Sequence, residues 1–146
     1  MAHGAPQATL DAVARTVSPP VFLFDGDCSF CSSTARWLRR RLPTPTSIEP
    51  WQTTDLDPLR VTESEVDEAV VMVATDLTHT SGPAAFAALA QTSTSGAWRA
   101  LGRVGALGPV LAVAGPVYRW IARNRHRLPG GTPQCSLPQA ERTRST

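Results

Sequence analysis

Two short unbroken apolar runs stand out along the chain, Val21-Phe22-Leu23-Phe24 and Ala69 to Thr75 (AVVMVAT). Runs of this length, rich in β-branched and aromatic residues, predict strands buried on both faces. The first lies between Pro20 and Asp25-Gly26-Asp27, a turn signal. The second predicts a central strand. Between them the period changes: Cys31, Ala35, Leu38 and Leu42 recur at i, i+4, i+7 and i+11, one apolar stripe of a helix. Asp27 is the expected N-cap and Pro43 the stop, and Arg39, Arg40 and Arg41 suit the negative end of the helix dipole.

Thr46 to Gln52 reads as a second strand, with Pro50 at an edge or a strand end. Leu56 to Leu59 is a loop or a helical turn. Thr62-Glu63-Ser64-Glu65 matches a capping box and predicts a short helix over 63–68. Asp76 to Thr78 turns the chain into a short strand at His79 to Ser81, forming a hairpin, and Gly82-Pro83 opens a helix over Ala84 to Gln91. The rest is helical with breaks. Trp98, Leu101 and Gly105 share a face, Pro109 and Pro116 are each expected to restart a helix, and Val117, Ile121 and Leu128 continue an apolar stripe. Strand, helix, strand, hairpin and helix in that order predict an α/β fold with a parallel first pair and a right-handed crossover, followed by additional C-terminal helices. Residues 1–19 read as a flexible N-terminal arm with a short helix around Leu10 to Val17, residues 20–128 as one domain, and residues 129–146 as a flexible tail.

Composition narrows the class. With 146 residues, 42% apolar and 18% charged, the chain suits a single globular domain. Its net charge of +2, from 14 Arg and no Lys against 12 acids, is too balanced for a nucleic-acid binder that relies on a strong field. The start of the sequence lacks the basic-then-apolar pattern of a signal peptide. The longest uncharged stretch, Val104 to Tyr118, is broken by Gly and Pro and is shorter than the roughly 20 residues of a membrane span. No membrane span and a cytoplasmic location are therefore expected, with thiols reduced at rest.

The chemistry concentrates in Cys28-Ser29-Phe30-Cys31, which follows a strand and a Gly turn and opens a helix. Only a thiolate attacks a disulfide, and unpaired amide groups with the positive dipole end at a helix start favour that anion. Such sites hold a thiol pKa at roughly 3.5 to 7.5 instead of about 8.5. Cys28 reads as the attacking sulfur and Cys31, one turn on and on the same face, as the resolving one. Asp25 and Asp27 flank the pair, either as helix caps or as acceptors of the resolving thiol's proton. Cys135 is incidental or a third thiol, and with His3, His79 or His126 it could complete a zinc site begun by the Cys pair. The basic helix end, Arg119 to Arg127 and including Arg125, is a solvated terminus or a grip for anionic partners. Trp37, Trp51, Trp98 and Trp120 read as core or rim packing. No phosphate-binding loop, Ser-His-Asp set or HExxH motif is present, and no cofactor is expected.

Val21 to Arg41, VFLFDGDCSFCSSTARWLRRR, resembles the DCC-type thiol-disulfide oxidoreductases, with Asp25, Cys28 and Cys31 matching the signature. Pro50-Trp51-Gln52, Gly82 with Ala84-Ala85-Phe86, and Tyr118 to Arg127 are similar to later blocks of that family, so the likeness spans residues 20 to 128. The resemblance implies a thioredoxin-like fold and dithiol–disulfide exchange with a protein or small-molecule disulfide, restored by an external reductant of unknown identity. Two thioredoxin features are missing: no proline directly precedes Ala69, and Phe22 stands where thioredoxin buries an acid.

Overall fold

The computed structural model describes residues 16–124 and Arg127. The expected short helix at Leu10 to Val17, Leu128 and the tail from residue 129 lie largely or wholly outside these residues. A four-stranded sheet in the order β2-β1-β3-β4 forms the centre. Strand β1 (Val21–Phe24) pairs in parallel with β2 (Ser47–Pro50), and β3 (Val71–Val73) runs antiparallel to both β1 and β4 (His79–Ser81).

Because side chains alternate across a strand, β1 divides its four buried residues between two cores. Phe22 and Phe24 join Ile48 and Met72 beneath helix α1 (Ser29–Arg41) and helix α3 (Pro83–Gln91), against Ala35, Leu38 and Leu89. Val21 and Leu23 face the other way, onto Trp51, Leu59, Val61 and Val66. That second layer is made of two single 3-10 turns, Trp51–Thr53 and Asp57–Leu59, and the short helix α2 (Glu63–Glu68). Burial on both faces explains why the β1 run shows no polar alternation.

The short helix depends on its cap. Thr62 Oγ1 accepts from the Glu65 amide, and the Glu65 carboxylate accepts from the Thr62 amide at 2.8 Å and its hydroxyl at 3.0 Å. Glu65 also reaches His79 on β4 at 3.3 Å, while the other ring nitrogen of His79 meets the Leu59 carbonyl at 3.0 Å. One ionised side chain thus joins α2 to the sheet edge.

Two expectations about helices change. Asp27 does not cap α1: its amide donates to Asp25 Oδ1 at 3.1 Å, an Asx-type turn, and the cap position falls on Cys28. Pro116 does not restart a helix. After α4 (Gly96–Gly105), helix α5 runs unbroken from Gly108 to Asn124 with Pro116 inside it. Pro116 lies on the solvent side of this helix, next to Gly115. On the inner side, Tyr118 Oη accepts the Val70 amide at 3.2 Å and ties the second half of α5 to the entry of β3. The second and third predicted strands are also shorter than their apolar patterns. Trp51 leaves β2 in a 3-10 turn that buries the indole in the second core.

The Glu65 carboxyl is held below its ordinary value of 4.5, first by the Thr62 amide and hydroxyl and then by His79. A lowered folded-state value means that the anion's contribution is complete above pH 4.5 and fades as pH falls below it. Thermal denaturation of the protein and of Glu65→Gln should therefore differ at neutral pH, with the variant melting lower, and the two should converge in acid.

Candidate active site

The parallel pairing of β1 and β2 brings their C-terminal ends side by side, where the Asp25-Gly26-Asp27 turn meets Gln52. Gln52 closes this corner with both ends of its amide. Its Nε2 donates to Asp25 Oδ1 at 2.8 Å, and its Oε1 accepts from the Gly26 amide at 2.9 Å. Asp25 is buried, and its Oδ1 accepts from both Gln52 and the Asp27 amide. Ser32 Oγ, in the first turn of α1, donates to the Gly26 carbonyl at 3.2 Å. The turn is thus bound to the strand end behind it and to the helix ahead of it. An amide side chain suits the task because it offers a donor and an acceptor together.

That corner sets the position of the cysteines. Cys28 takes the N-cap position with extended backbone (φ −91°, ψ 119°) and no side-chain cap, and its carbonyl accepts the Ser32 amide at 2.9 Å. Its side chain is fully buried at the end of α1 where unpaired amides gather. Cys28 and Cys31 lie 3.6 Å apart. Cys135 lies outside the described residues, as does Arg125.

Cys31 lines a cavity of about 180 Å³ on the first-core side of the sheet. Its walls are Phe30 and Thr34 of α1, Phe22 and Phe24 of β1, Val70, and Phe86, Tyr118 and Ile121 from the C-terminal helices. Phe86 packs against both Phe22 (ring centroids 5.2 Å) and Tyr118 (6.4 Å), so aromatic rings make a continuous wall. On the opposite side of α1, Asp27, Ser32, Arg36, Arg39, Glu49 and Gln52 line a polar groove. Arg39 donates to the Ile48 carbonyl and stacks its guanidinium over Phe24 at 5.7 Å, so part of the arginine run is anchored. The site therefore has an apolar approach to Cys31 and a charged one to the turn.

Cys28 and Cys31 lie together and Asp25 is buried on the turn before them, while Asp27 is exposed at the mouth of the groove. Gln52 and Tyr118 were not singled out as site residues from the sequence. Gln52 stands 27 positions from Asp25, and only the parallel pairing of two strand ends joins them. Of the tryptophans, Trp51 is buried, Trp98 is half-buried and Trp37 packs at the rim, while Trp120 is exposed, contrary to the core-or-rim expectation. Trp37 retains an edge contact with Trp98 at 6.1 Å. Among the described residues no three His, Cys, Asp or Glu side chains gather as a metal set, and His79 is engaged by Glu65 and the Leu59 carbonyl. His3 and His126 lie outside those residues.

A family model described as DCC1-like thiol-disulfide oxidoreductase matches residues 22–131, more than half of the chain. No curated protein and no solved structure gives a significant match.

Gly26 is where the corner tolerates no side chain. A Cβ there would stand 2.6 Å from Pro50 Cβ and 3.2 Å from Gln52 Oε1, so β2 or the turn would have to move. Gly26→Ala is expected to cost about 1–3 kcal/mol, the range of overpacking in a tight site, measured by urea denaturation. It should also raise the reactivity of Cys31 toward alkylating reagents by loosening the start of α1.

Proposed function

The chain belongs to the DCC1-like thiol-disulfide oxidoreductase family, and from that premise we propose that it exchanges dithiol for disulfide through Cys28 and Cys31. The observation that carries this reading is a pair of cysteines 3.6 Å apart, the first buried at the amide end of a helix and the second bordering an apolar cavity. In the exchange, the Cys28 thiolate attacks a substrate disulfide. One S–Cys28 bond forms, the substrate S–S bond breaks, and the leaving sulfur takes the electron pair and then a proton. Cys31, deprotonated, attacks the Cys28 sulfur, releases the second substrate thiol and leaves the Cys28–Cys31 disulfide. The substrate gains two electrons from the pair, and an external dithiol reductant returns them.

Asp25 serves as the proton acceptor for Cys31 in this scheme. It is a buried carboxylate held by Gln52 and the Asp27 amide on the turn that leads into the pair. Gln52 is a positioning residue that acts through Asp25 and Gly26. The cavity beside Cys31 favours substrates with an apolar group next to the sulfur. Its volume of about 180 Å³ is comparable to the ~150 Å³ apolar cavity that holds benzene in another protein. The thioredoxin-like reading of the fold rests on strand order and direction: a parallel strand–helix–strand unit, then an antiparallel hairpin and a helix.

Reduction of an aromatic disulfide reagent with a dithiol as electron source tests the proposal. Cys28→Ser should lose activity by at least about a hundredfold, and the double variant with Cys31→Ser should show none. Cys31→Ser alone should accumulate a substrate adduct on Cys28, visible by mass spectrometry. Asp25→Asn should slow resolution and shift its pH profile. Full activity in the double variant would refute the assignment.

A further inference from the structure

Among the described residues, eight large apolar side chains are exposed, and seven of them fall between Leu101 and Trp120. They lie on α4, α5 and the connection between them. Leu101 and Val104 lie one turn apart on α4, Leu107 is in the connection, and Val113, Val117 and Trp120 follow at i, i+4 and i+7 on α5. Val113 is 69% exposed and Trp120 59%. A contiguous apolar face of this kind marks an interaction site, since isolated apolar residues need no explanation but a patch does.

Charge identifies the partner. From Leu77 to Ala140 the sequence contains no Asp or Glu. Arg119 and Arg123, both exposed, sit one turn apart along one flank of the α5 stripe. A second copy related by a two-fold axis would place these arginines near their own equivalents, with no acid on either helix to pair with them. An anionic lipid surface meets both needs, taking the stripe among its acyl chains and the arginines among its headgroups. Trp120, beside the arginines, is the residue type that favours that boundary.

By length and composition α4 and α5 together could make a broken span, but their bend and their inner contacts favour lying on the surface. No single helix among the described residues is long and apolar enough to span, and α4 and α5 meet at an 83° bend. At 1.5 Å per residue α5 is about 25 Å long, short of a hydrocarbon core of about 30 Å. Its inner face is also committed, through Tyr118 to Val70 and through Ile121 and Ala122 in the cavity wall. We propose that the outer face of α4 and α5 docks the protein flat on an anionic membrane surface. This inference does not depend on the thiol chemistry.

Co-sedimentation of the full chain with vesicles tests it, comparing phosphatidylcholine alone with a two-to-one mixture of phosphatidylcholine and phosphatidylglycerol. Binding should require phosphatidylglycerol and weaken at high salt. Val113→Glu with Trp120→Glu should reduce it roughly tenfold or more, and Arg119→Gln with Arg123→Gln should remove the preference for the anionic lipid. All four side chains are exposed, so circular dichroism melts should stay unchanged. The proposal is overturned if the folded protein fails to pellet with the mixed vesicles or pellets equally with both compositions. It is also overturned if sedimentation velocity shows a dimer that Val113→Glu dissolves while no vesicle binding occurs.

Discussion

The corner where β1 ends and α1 begins is fixed by one amide side chain. Gln52 donates to Asp25 and accepts from Gly26, tying the turn to the segment that leaves β2. The arrangement requires parallel strands, because only then do the ends of β1 and β2 lie together. It also requires a residue without a side chain at position 26, where Pro50 already occupies the space of a Cβ. The sheet direction, the glycine and the amide are therefore one constraint, and the cysteines inherit their position from it.

What was legible in the sequence was local. The buried strand at Val21–Phe24, the stripe of α1, the capping box at Thr62 to Glu65 and the Gly82-Pro83 helix start each carry their physical cause within a few residues. So did the cysteine pair at a helix start. What was not legible depended on distant partners. Asp25 and Asp27 are chemically alike and both stand before the helix, yet only Asp25 meets Gln52, 27 positions on. Pro116 carries a break signal that tertiary contacts override, since α5 is held by Tyr118 beyond it. The exposure of Trp120 is invisible to composition, which treats every tryptophan as a core candidate.

The two cysteines face different surroundings although they share one turn of helix. Cys28 is enclosed at the helix end, where backbone amides are the polar groups that α1 itself supplies to an anion. Cys31 borders an apolar, aromatic-walled space. The two settings differ in kind, polar amides at the first cysteine and aromatic rings at the second. The arginines of α1 do not blur this division. Arg39 is anchored on Ile48 and Phe24 on the groove side, away from the cavity.

Helix α5 connects this site with the surface. Its inner face supplies Tyr118, Ile121 and Ala122 to the wall near Cys31, and its outer face carries Val113, Val117 and Trp120 into solvent. A helix that is apolar on both sides and has no fully buried residue gains only part of the stabilisation that its composition could provide. In water the outer residues contribute little to holding it in place, so its attachment rests on the inner contacts, among them the Tyr118–Val70 bond and the packing of Tyr118 on Phe86. Anything that covers the outer face adds apolar burial to the same helix and so stabilises the wall of the cavity it completes.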